Sequence, residues 1–600
     1  MSLQTELTGN PDVVRLSASA LDRLEQGCRA SAAAKARAAM RPVARERRRY
    51  APWADFPLGL VMAALDAAEF EGADPDIAVG RAVEASRDPV HPGVVRWVLH
   101  ACQTYLETSE SLAAELAAEG VELRPERRPR VVQHGSSPTA MRILTAWGRW
   151  YGSPDGALVE FRRMRLRRPL GRPDAPSTLA MAYVAAAGDR VLDPRDVYQA
   201  VPVPVEPGPR PRRVRVVEMG LTEPDARTLV DCSPEEVRDA YLGSVRPVAA
   251  QLLTGDVRAP GSGCAGCRIS GSCEALVRVP GLLGLAGPGT HRRTWSVTTA
   301  RQYQLCPARA HLRDLRLPAE EADGSATRRG LLVHRWLEAA HGRAPASGTA
   351  PGTAPGVRPC TPADLPDPAT GELGLAGGLM SPEEYEQAWP YLVRHVEVCP
   401  LRGPGEVTGV APEPRVAVHD TEADVVVVAH PDLLRRVDGR LVYREQKTSL
   451  TERGITADNA LELVPQLALA VSLIAGGAFG DTRGTVELEQ LTPLSGTVIS
   501  FDAGDPGVVA AARAVLAELA GPWHRDAEFR AEPGPWCRFC PVSRWCGDAF
   551  RAEEGPFITV DGLVIDPVTG EVLESGGRTT SRVEAIGDAL DEADDDEPPF

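Results

Sequence analysis

Lysine is almost absent from this 600-residue sequence. Lys35 and Lys447 are the only two, and the other 64 of its 66 basic residues are arginine. A nucleotide-binding P-loop needs a lysine directly after a glycine, whereas Ala34 and Gln446 precede the two lysines. A Walker-type ATPase is therefore excluded. An ATP-driven motor that works with this protein must therefore be a different protein, and a separate helicase or translocase is a candidate partner.

Long apolar runs are also missing. The longest, such as LVMAALDAA and LALAVSLIAGGA, are far shorter than a membrane-spanning helix. The first residues, MSLQTELTGN, are polar and do not resemble a signal peptide. We therefore expect a cytoplasmic protein without a membrane partner. Its hydrophobic content of 43% and charged content of 25% are ordinary for globular proteins, and its length predicts two or more domains.

The formal charge of −16 is unevenly distributed. Residues 576–600 contain eight acids and two arginines, which predicts a disordered acidic tail after a short hairpin at 553–575. Residues 29–50 and 161–172 are instead strongly basic. These two segments fit either a nucleic-acid contact or solvated helix and strand faces.

The cysteines form two copies of one pattern. The motif C-x2-C-x5-C occurs in CAGCRISGSC and in CRFCPVSRWC, and each copy follows a single cysteine by more than 200 residues. The first quartet is Cys28, Cys264, Cys267 and Cys273, and the second is Cys306, Cys537, Cys540 and Cys546. Four thiolates suit zinc or an iron–sulfur cluster, and the spacing leaves both open. The remaining cysteines, Cys102, Cys232, Cys360 and Cys399, have no counterpart across the repeat and are interpreted as ordinary.

The repeat extends beyond the cysteines. WYGSPDGALVEFRRM mirrors LLRRVDGRLVYREQK, and both predict two strands joined at an Asp-Gly turn. TLAMAYVAAAGD mirrors QLALAVSLIAGG as a helix. We predict an α/β fold made by tandem duplication. Each half has a mixed central sheet flanked by helices and is closed by a four-cysteine site. The first half is 1–285 and the second is 290–552. A Pro/Gly/Ala-rich insert at 341–378 is expected to be a flexible surface loop.

An acidic centre lies in the second half. Asp432 is at the end of one predicted strand, and Glu445 and Lys447 are two residues apart on the next, so they share a face. Two carboxylates there can hold Mg²⁺ or Mn²⁺, and a lysine can offset charge in a transition state. Nearly all other basic residues of the chain are arginine, so a lysine at position 447 indicates that its ammonium group has a chemical role.

These motifs resemble the PD-(D/E)XK nucleases of the RecB type, in the branch with an iron–sulfur staple. That branch includes the AddB nuclease domain, CRISPR-adaptation nucleases and exonuclease V. The resemblance covers about 250 residues. Its motifs are CPARA at Cys306, G-x3-H-x2-LE at 330–338, Pro-Asp at 431–432, E-Q-K at 445–447, Q-L-A-L at 466–469 and the cysteine triplet at 537–546. One departure is Ala470, where the family often has tyrosine.

The resemblance implies a restriction-endonuclease-like core and assigns roles to residues. His334, Asp432, Glu445 and the Gln446 carbonyl would bind the metal, Lys447 would be the catalytic lysine, and Gln466 would orient the metal site or DNA. The second quartet would hold a [4Fe-4S] cluster. The first quartet would hold a second [4Fe-4S] cluster or Zn²⁺.

The first half lacks this chemistry. In the repeat, His334 corresponds to Ala63, Asp432 to Arg149, Glu445 to Arg162, Lys447 to Met164 and Gln466 to a position near Thr178. We therefore expect a pseudonuclease. Arginines in place of carboxylates could receive a DNA phosphate through Arg149 and Arg162, although a degenerate domain that only packs is the alternative.

The function expected from the sequence is that of a metal-dependent deoxyribonuclease. It would act on single strands or DNA ends in repair, recombination or defence. The alternative is a non-catalytic DNA-binding scaffold that contains iron–sulfur clusters or zinc.

Overall fold

A computed structural model describes residues 6–22, 27–43, 50–320, 325–343 and 358–549, together with the backbone of three short strands beyond residue 557. Within these residues the protein is a mixed α/β structure, as expected, with several mixed sheets flanked by helices. None of the described helices is long and apolar enough to cross a membrane.

The first half alternates short strands with helices. Its strands are β1 (Leu7–Gly9), β2 (Val13–Ser17), β3 (Met40–Pro42), β4 (Arg124–Glu126), β5 (Arg130–Ser137), β6 (Ala140–Thr145), β7 (Arg149–Gly152), β8 (Leu158–Arg165), β9 (Asp189–Val191), β10 (Val205–Glu206), β11 (Arg213–Gly220) and β12 (Ala226–Cys232). Its helices are α1 (Arg29–Ala36), α2 (Pro57–Glu71), α3 (Pro75–Glu84), α4 (Pro92–Ala118), α5 (Pro176–Ala187), α6 (Asp196–Gln199), α7 (Pro234–Ala240) and α8 (Arg246–Thr254).

The central sheet of the first half has the order β12-β11-β8-β7-β4. Strands β8 and β11 are parallel, and their other neighbours are antiparallel. Helix α5 packs on one face, against Phe161 and Val216, and helix α4 packs on the other, against Met164 and Val217. Alternate residues of one strand thus reach two hydrophobic cores.

The second half repeats this alternation of strands and helices. Its strands are β13 (Val277–Arg278), β14 (Arg293–Trp295), β15 (Val407–Pro412), β16 (Val416–Asp420), β17 (Val425–Ala429), β18 (Leu433–Val437), β19 (Arg440–Thr448), β20 (Gly484–Leu491) and β21 (Gly496–Asp502). Its helices are α9 (Val297–Leu305), α10 (Pro307–Asp314), α11 (Ser325–His341), α12 (Pro382–Val398), α13 (Ala460–Leu463), α14 (Pro465–Ala475) and α15 (Pro506–Arg525).

The central sheet of the second half has the order β15-β18-β19-β20-β21, with β19 and β20 parallel. The predicted Asp-Gly turn joins β18 to β19, and Asp438 and Gly439 both have positive φ, at 50° and 79°. Such a turn matches the twist of an antiparallel pair. The apolar helix α14 lies on one face of the sheet, and α11 and α12 lie on the other.

The two central sheets share their strand order and their pattern of parallel and antiparallel pairs. In the first, Arg149 on β7 lies opposite Arg162 on β8. In the second, Leu433 on β18 lies opposite Arg444 on β19, which puts Asp432 opposite Glu445. The positions that the sequence comparison paired therefore occupy matching places in the two sheets.

Residues at the end of the predicted first half contact the second half. Strand β13 pairs with β16 of the second half, and Leu282 and Leu283 belong to the second half's core. The halves also share a hydrophobic cluster, in which Leu312 and Trp545 pack with helix α4. Residues 277–285, assigned to the first half from sequence, thus pack with the second.

The described part of the insert packs against the second half. Residues 344–357 lie outside the described residues. Residues 358–378 contain three short 3-10 turns, and Cys360, Leu365 and Ala376 are buried there. The sequence predicted a flexible surface loop, whereas these three side chains anchor residues 358–378 against α11 and α12.

The C-terminal segment has three antiparallel strands, β22 (Ile558–Val560), β23 (Leu563–Ile565) and β24 (Val572–Glu574), where the sequence predicted a hairpin. The predicted acidic tail, 576–600, lies outside the described residues.

Candidate active site

Three side chains converge beside the central sheet of the second half. His334, Glu413 and Asp432 each offer a ligand atom, and these atoms all lie within 4.8 Å of one another. His334 Nδ1 is 3.1 Å from Asp432 Oδ1 and 3.3 Å from Glu413 Oε1. All three side chains are partly or largely buried.

Different elements supply these residues. Helix α11 carries His334, Glu413 directly follows β15, and Asp432 directly precedes β18. The backbone N–H of Gln446 donates to Asp432 Oδ2 at 2.5 Å, and the backbone N–H of Glu413 donates to the Asp432 carbonyl oxygen at 3.2 Å. These bonds hold the Asp432 carboxylate and the backbone of Glu413 at the ends of neighbouring strands.

The electrostatics of the cluster favour a cation. Burial alone would lower the pKa of His334, but attraction by Asp432 and hydrogen bonds to Asp432 and Glu413 raise it well above its usual value. Burial, followed by the charges of Glu445, Asp432 and Glu413, raises the pKa of Tyr443. The carboxylates thus create a negative potential around the Tyr443 hydroxyl, and a divalent ion would relieve it.

Glu445 and Lys447 occupy the same strand beside this cluster. Lys447 Nζ lies 3.2 Å from Glu445 Oε1, and Glu445 is 4% exposed. The carboxylate of Glu445 is not part of the 4.8 Å group. Of the predicted ligands, the structure thus brings His334 and Asp432 together and puts Glu445 with Lys447.

Gln446 and Gln466 have different positions. The side chain of Gln446 turns away from the site, and its Nε2 donates to the buried Glu489 Oε2 at 3.0 Å, which leaves its backbone beside Asp432. Gln466 is the second residue of helix α14, which packs on β19 and β20.

The sequence comparison missed Glu413. It lies between two prolines, in APEPR, and its φ of 44° is unusual for a residue with a side chain. An acid in a Pro-Glu-Pro connection directly before a valine-rich strand was the available signal.

The cysteines of each quartet lie near one another. Cys306, Cys537, Cys540 and Cys546 line one small cavity together with Arg309. The backbone N–H of Glu532 donates to Cys306 Sγ at 3.3 Å, and that of Gly534 donates to Cys537 Sγ at 3.4 Å.

The first quartet is similarly arranged. Cys28, Cys267 and Cys273 lie close enough to Cys264 that their charges, after the larger effect of burial, help to raise its pKa to about 11. The backbone N–H of Gly261 donates to Cys264 Sγ at 3.4 Å, as that of Gly534 does to Cys537.

At the place of the acidic centre, the first half contains buried arginines. Arg149 is hydrogen-bonded to Glu69, with Nε 2.9 Å from Oε2, and its Nη1 lies 2.9 Å from Asp66 Oδ1. Arg162 donates from Nε to Glu160 at 2.6 Å and lies over the Tyr151 ring. Both guanidinium groups are almost fully buried, so a phosphate would have to displace these partners to reach them.

A comparison with known protein families finds a match in the second half. The family model of the PD-(D/E)XK nuclease superfamily matches residues 294–547, which include His334, Asp432, Glu445 and Lys447. A solved structure titled "Crystal structure of SSO0001" is 16% identical. That match covers 37% of this chain and 97% of that chain, but its TM-score of 0.17 is too low to support an argument. No curated protein matches significantly. The family match indicates a nuclease domain in the second half.

Proposed function

We propose that this protein is a divalent-metal-dependent deoxyribonuclease that hydrolyses phosphodiester bonds, with one active site in the second half. The observation that carries the proposal is the convergence of His334, Glu413 and Asp432 beside the Glu445–Lys447 pair. Single strands or DNA ends are the expected substrates, in repair, recombination or defence.

The residues present fit Mg²⁺ or Mn²⁺. Carboxylate and carbonyl oxygens suit both Mg²⁺ and Mn²⁺. His334 and Asp432 would hold the ion, with Glu413 added to the predicted set and Glu445 and the Gln446 carbonyl retained as predicted ligands. The ion would polarise the phosphodiester and lower the pKa of a bound water.

Lys447 has a distinct part in this proposal. Its Nζ lies 3.2 Å from Glu445 Oε1, beside the carboxylate cluster. A charge fixed there stabilises the negative charge that develops on the phosphate and orients the attacking water. Gln466 is proposed to orient the metal site or the DNA.

The second quartet is proposed to hold a [4Fe-4S] cluster. A single tetrahedral zinc with bonds of about 2.3 Å would bring its sulfurs to about 3.8 Å from one another. The structure describes all twelve cysteines. Among the described residues, two groups of three or more potential ligand atoms lie within 4.8 Å of one another, and neither group includes a cysteine of either quartet. This wider spacing favours a cluster over one zinc ion. The N–H groups directed at Cys306 and Cys537 are consistent with ligated sulfur. The first quartet is proposed to hold a second cluster or Zn²⁺.

The chain is further proposed to be a tandem duplication whose first half is a pseudonuclease that serves as a DNA-binding platform. The duplication is supported by the strand order that the two central sheets share. The loss of activity in the first half is supported by Arg149 and Arg162, which occupy the positions of Asp432 and Glu445. The direct phosphate contacts predicted for Arg149 and Arg162 stay predictions. Their ion pairs with Glu69, Asp66 and Glu160 favour a structural role instead.

Cleavage of end-labelled single- and double-stranded DNA by the full chain tests the function. With Mn²⁺ or Mg²⁺ we expect cleavage that stops on chelation. Asp432→Asn should reduce it at least about 100-fold, because the variant loses a charged ligand from the metal site. Glu518→Gln, an exposed change on α15, is the matched control.

The alternative is a non-catalytic DNA-binding scaffold. DNA binding by the wild-type protein without cleavage of either strand form, with both metals present, would favour the scaffold and overturn the nuclease proposal.

A further inference from the structure

A second group of potential metal ligands lies away from the acidic centre and outside both quartets. It consists of His341, Cys360, His395 and Cys399, whose ligand atoms all lie within 4.8 Å of one another. All four residues are buried, with exposures from 0% to 5%. They lie in an apolar cluster that includes Trp336, Leu392 and other side chains of α11 and α12.

We propose that these four residues form a structural Cys2His2 zinc site. Two thiolates and two imidazoles are a ligand set typical of structural zinc. His341 Nε2 lies 3.3 Å from His395 Nε2. Two nitrogens bound to one tetrahedral zinc at about 2.0–2.1 Å lie about 3.3–3.4 Å apart, so the imidazoles already have the required separation.

A buried carboxylate orients one of the ligands. Glu489, fully buried on β20, lies 2.6 Å from His395 Nδ1. This contact directs Nε2 of the same ring toward the other three ligands. Carboxylate–histidine–zinc arrangements of this kind fix the tautomer and the orientation of metal-bound imidazoles.

The site connects parts of the chain that are far apart in sequence. His341 ends helix α11, Cys360 opens the packed part of the insert, and His395 and Cys399 lie at the end of α12. Zinc would therefore hold the insert and both helices together.

The zinc site is also linked to the acidic centre by two routes. His334 lies seven residues, about two turns, before His341 on the same helix. Glu489 accepts hydrogen bonds from Arg444 at 2.8 Å and from Gln446 at 3.0 Å, on the strand that carries Glu445 and Lys447. The metal would thus help to position both the helix and the strand that form the acidic centre.

Metal analysis of the purified full-length protein tests this site. Cys360→Ala and Cys399→Ala should each lose one equivalent of zinc relative to wild type, without losing iron. Cys102→Ala, a buried cysteine of the first half outside all three groups, is the matched control and should lose none. Equal zinc in wild type and in both variants would overturn the proposal. The readout is independent of nuclease activity, so a failure here is distinct from a failure of the proposed function.

Unmodified protein provides a second measurement in case the variants do not fold. Zinc-edge X-ray absorption should show nitrogen neighbours at about 2.0–2.1 Å beside sulfur neighbours at about 2.3 Å, and the nitrogen signal is specific to this site because the quartets offer only sulfur. Absence of zinc from protein grown with it, or a peptide in which a disulfide joins Cys360 to Cys399, would contradict the assignment.

Glu489→Gln tests the positioning role of the carboxylate. The four ligands remain, so zinc should still bind, but with an affinity lowered about 10–100-fold in competition with a chelator. An unchanged affinity would show that Glu489 does not position His395.

Discussion

Arg149 allows a structural role to be separated from a phosphate contact. Its guanidinium group lies in the first half, 3% exposed, where it is paired with Glu69, 9% exposed, and with the half-exposed Asp66. Arg149→Met keeps much of the side-chain length and removes the charge. We expect the variant to be destabilised, because the Glu69 carboxylate is left buried without its cation.

The expected loss follows from burial. Removing one partner of a buried ion pair costs about 3–5 kcal/mol, whereas the pair with Asp66 contributes at most about 1 kcal/mol. For a folding unit the size of the first half, a loss of 1 kcal/mol in the free energy of unfolding lowers the melting temperature by about 2 °C. The thermal unfolding transition of the first half should therefore lie about 6–10 °C lower in Arg149→Met than in the wild type.

Thermal melting followed by circular dichroism or calorimetry measures this shift. The double variant Arg149→Met/Glu69→Leu should recover more than half of the loss, because the isolated buried charge is gone. Arg142→Met, an exposed arginine on β6, is the control and should shift the transition by no more than about 1 °C.

DNA binding by the same variants completes the test. Two results together would refute the structural role of Arg149. The melting temperature of Arg149→Met would be unchanged, and the slope of log affinity for DNA against log salt concentration would fall by about 1. These results would instead support the phosphate contact predicted from the sequence.

Three further predictions address other sites. Glu413→Gln should weaken Mn²⁺ binding and cleavage at least about 10-fold, measured by metal titration and by rate, and an unchanged metal affinity would remove Glu413 from the ligand set. Cys537→Ser should lower the absorption at about 400 nm and release the iron of the second quartet, since four thiolates hold such a cluster, whereas the wild-type absorption and iron content would contradict the [4Fe-4S] assignment. His311 stacks on Phe529, and burial, aided by the nearby His91 and Arg293, lowers its pKa to about 3. The unfolded chain binds this proton near pH 6.5, so the stabilisation is complete above that pH and is lost as pH falls toward 3. The melting temperature of His311→Phe should fall less steeply with acid than that of the wild type, and parallel curves would refute this.

The strand-borne part of the candidate site could be predicted from sequence. Glu445 and Lys447 are two residues apart, and a strand places such residues on one face whatever surrounds it. Asp432 was found because an Asp-Gly turn fixes the register of its hairpin, and the observed pairing of Leu433 with Arg444 matches that register.

Residues that depend on tertiary contacts could not be predicted in this way. Glu413 reaches Asp432 through an irregular connection with positive φ, which has no periodic signal. Cys360 and Cys399 have no counterpart in the first half and were interpreted as ordinary. Their partners His341 and His395 come from two helices that only the folded chain brings together.

The charge reversal in the first half shows a related limit. Comparing the repeats identified Arg149 and Arg162 but not what they contact. Asp66 and Glu69 lie about 80 residues earlier, on α2, and only the packing of that helix shows that they neutralise Arg149.

The two lysines of this chain provide the most direct test of the central claim, that the second half contains a metal-dependent nuclease centre. Cleavage of labelled DNA with Mn²⁺ is measured for the wild type, for Lys447→Met and for Lys35→Met, which removes the exposed lysine of α1. We predict that Lys447→Met reduces cleavage about 100–1,000-fold, because it removes the ammonium group beside the Glu445 carboxylate, while Lys35→Met cleaves as the wild type does. Cleavage by Lys447→Met at the wild-type rate would contradict the assignment of a nuclease centre to the second half.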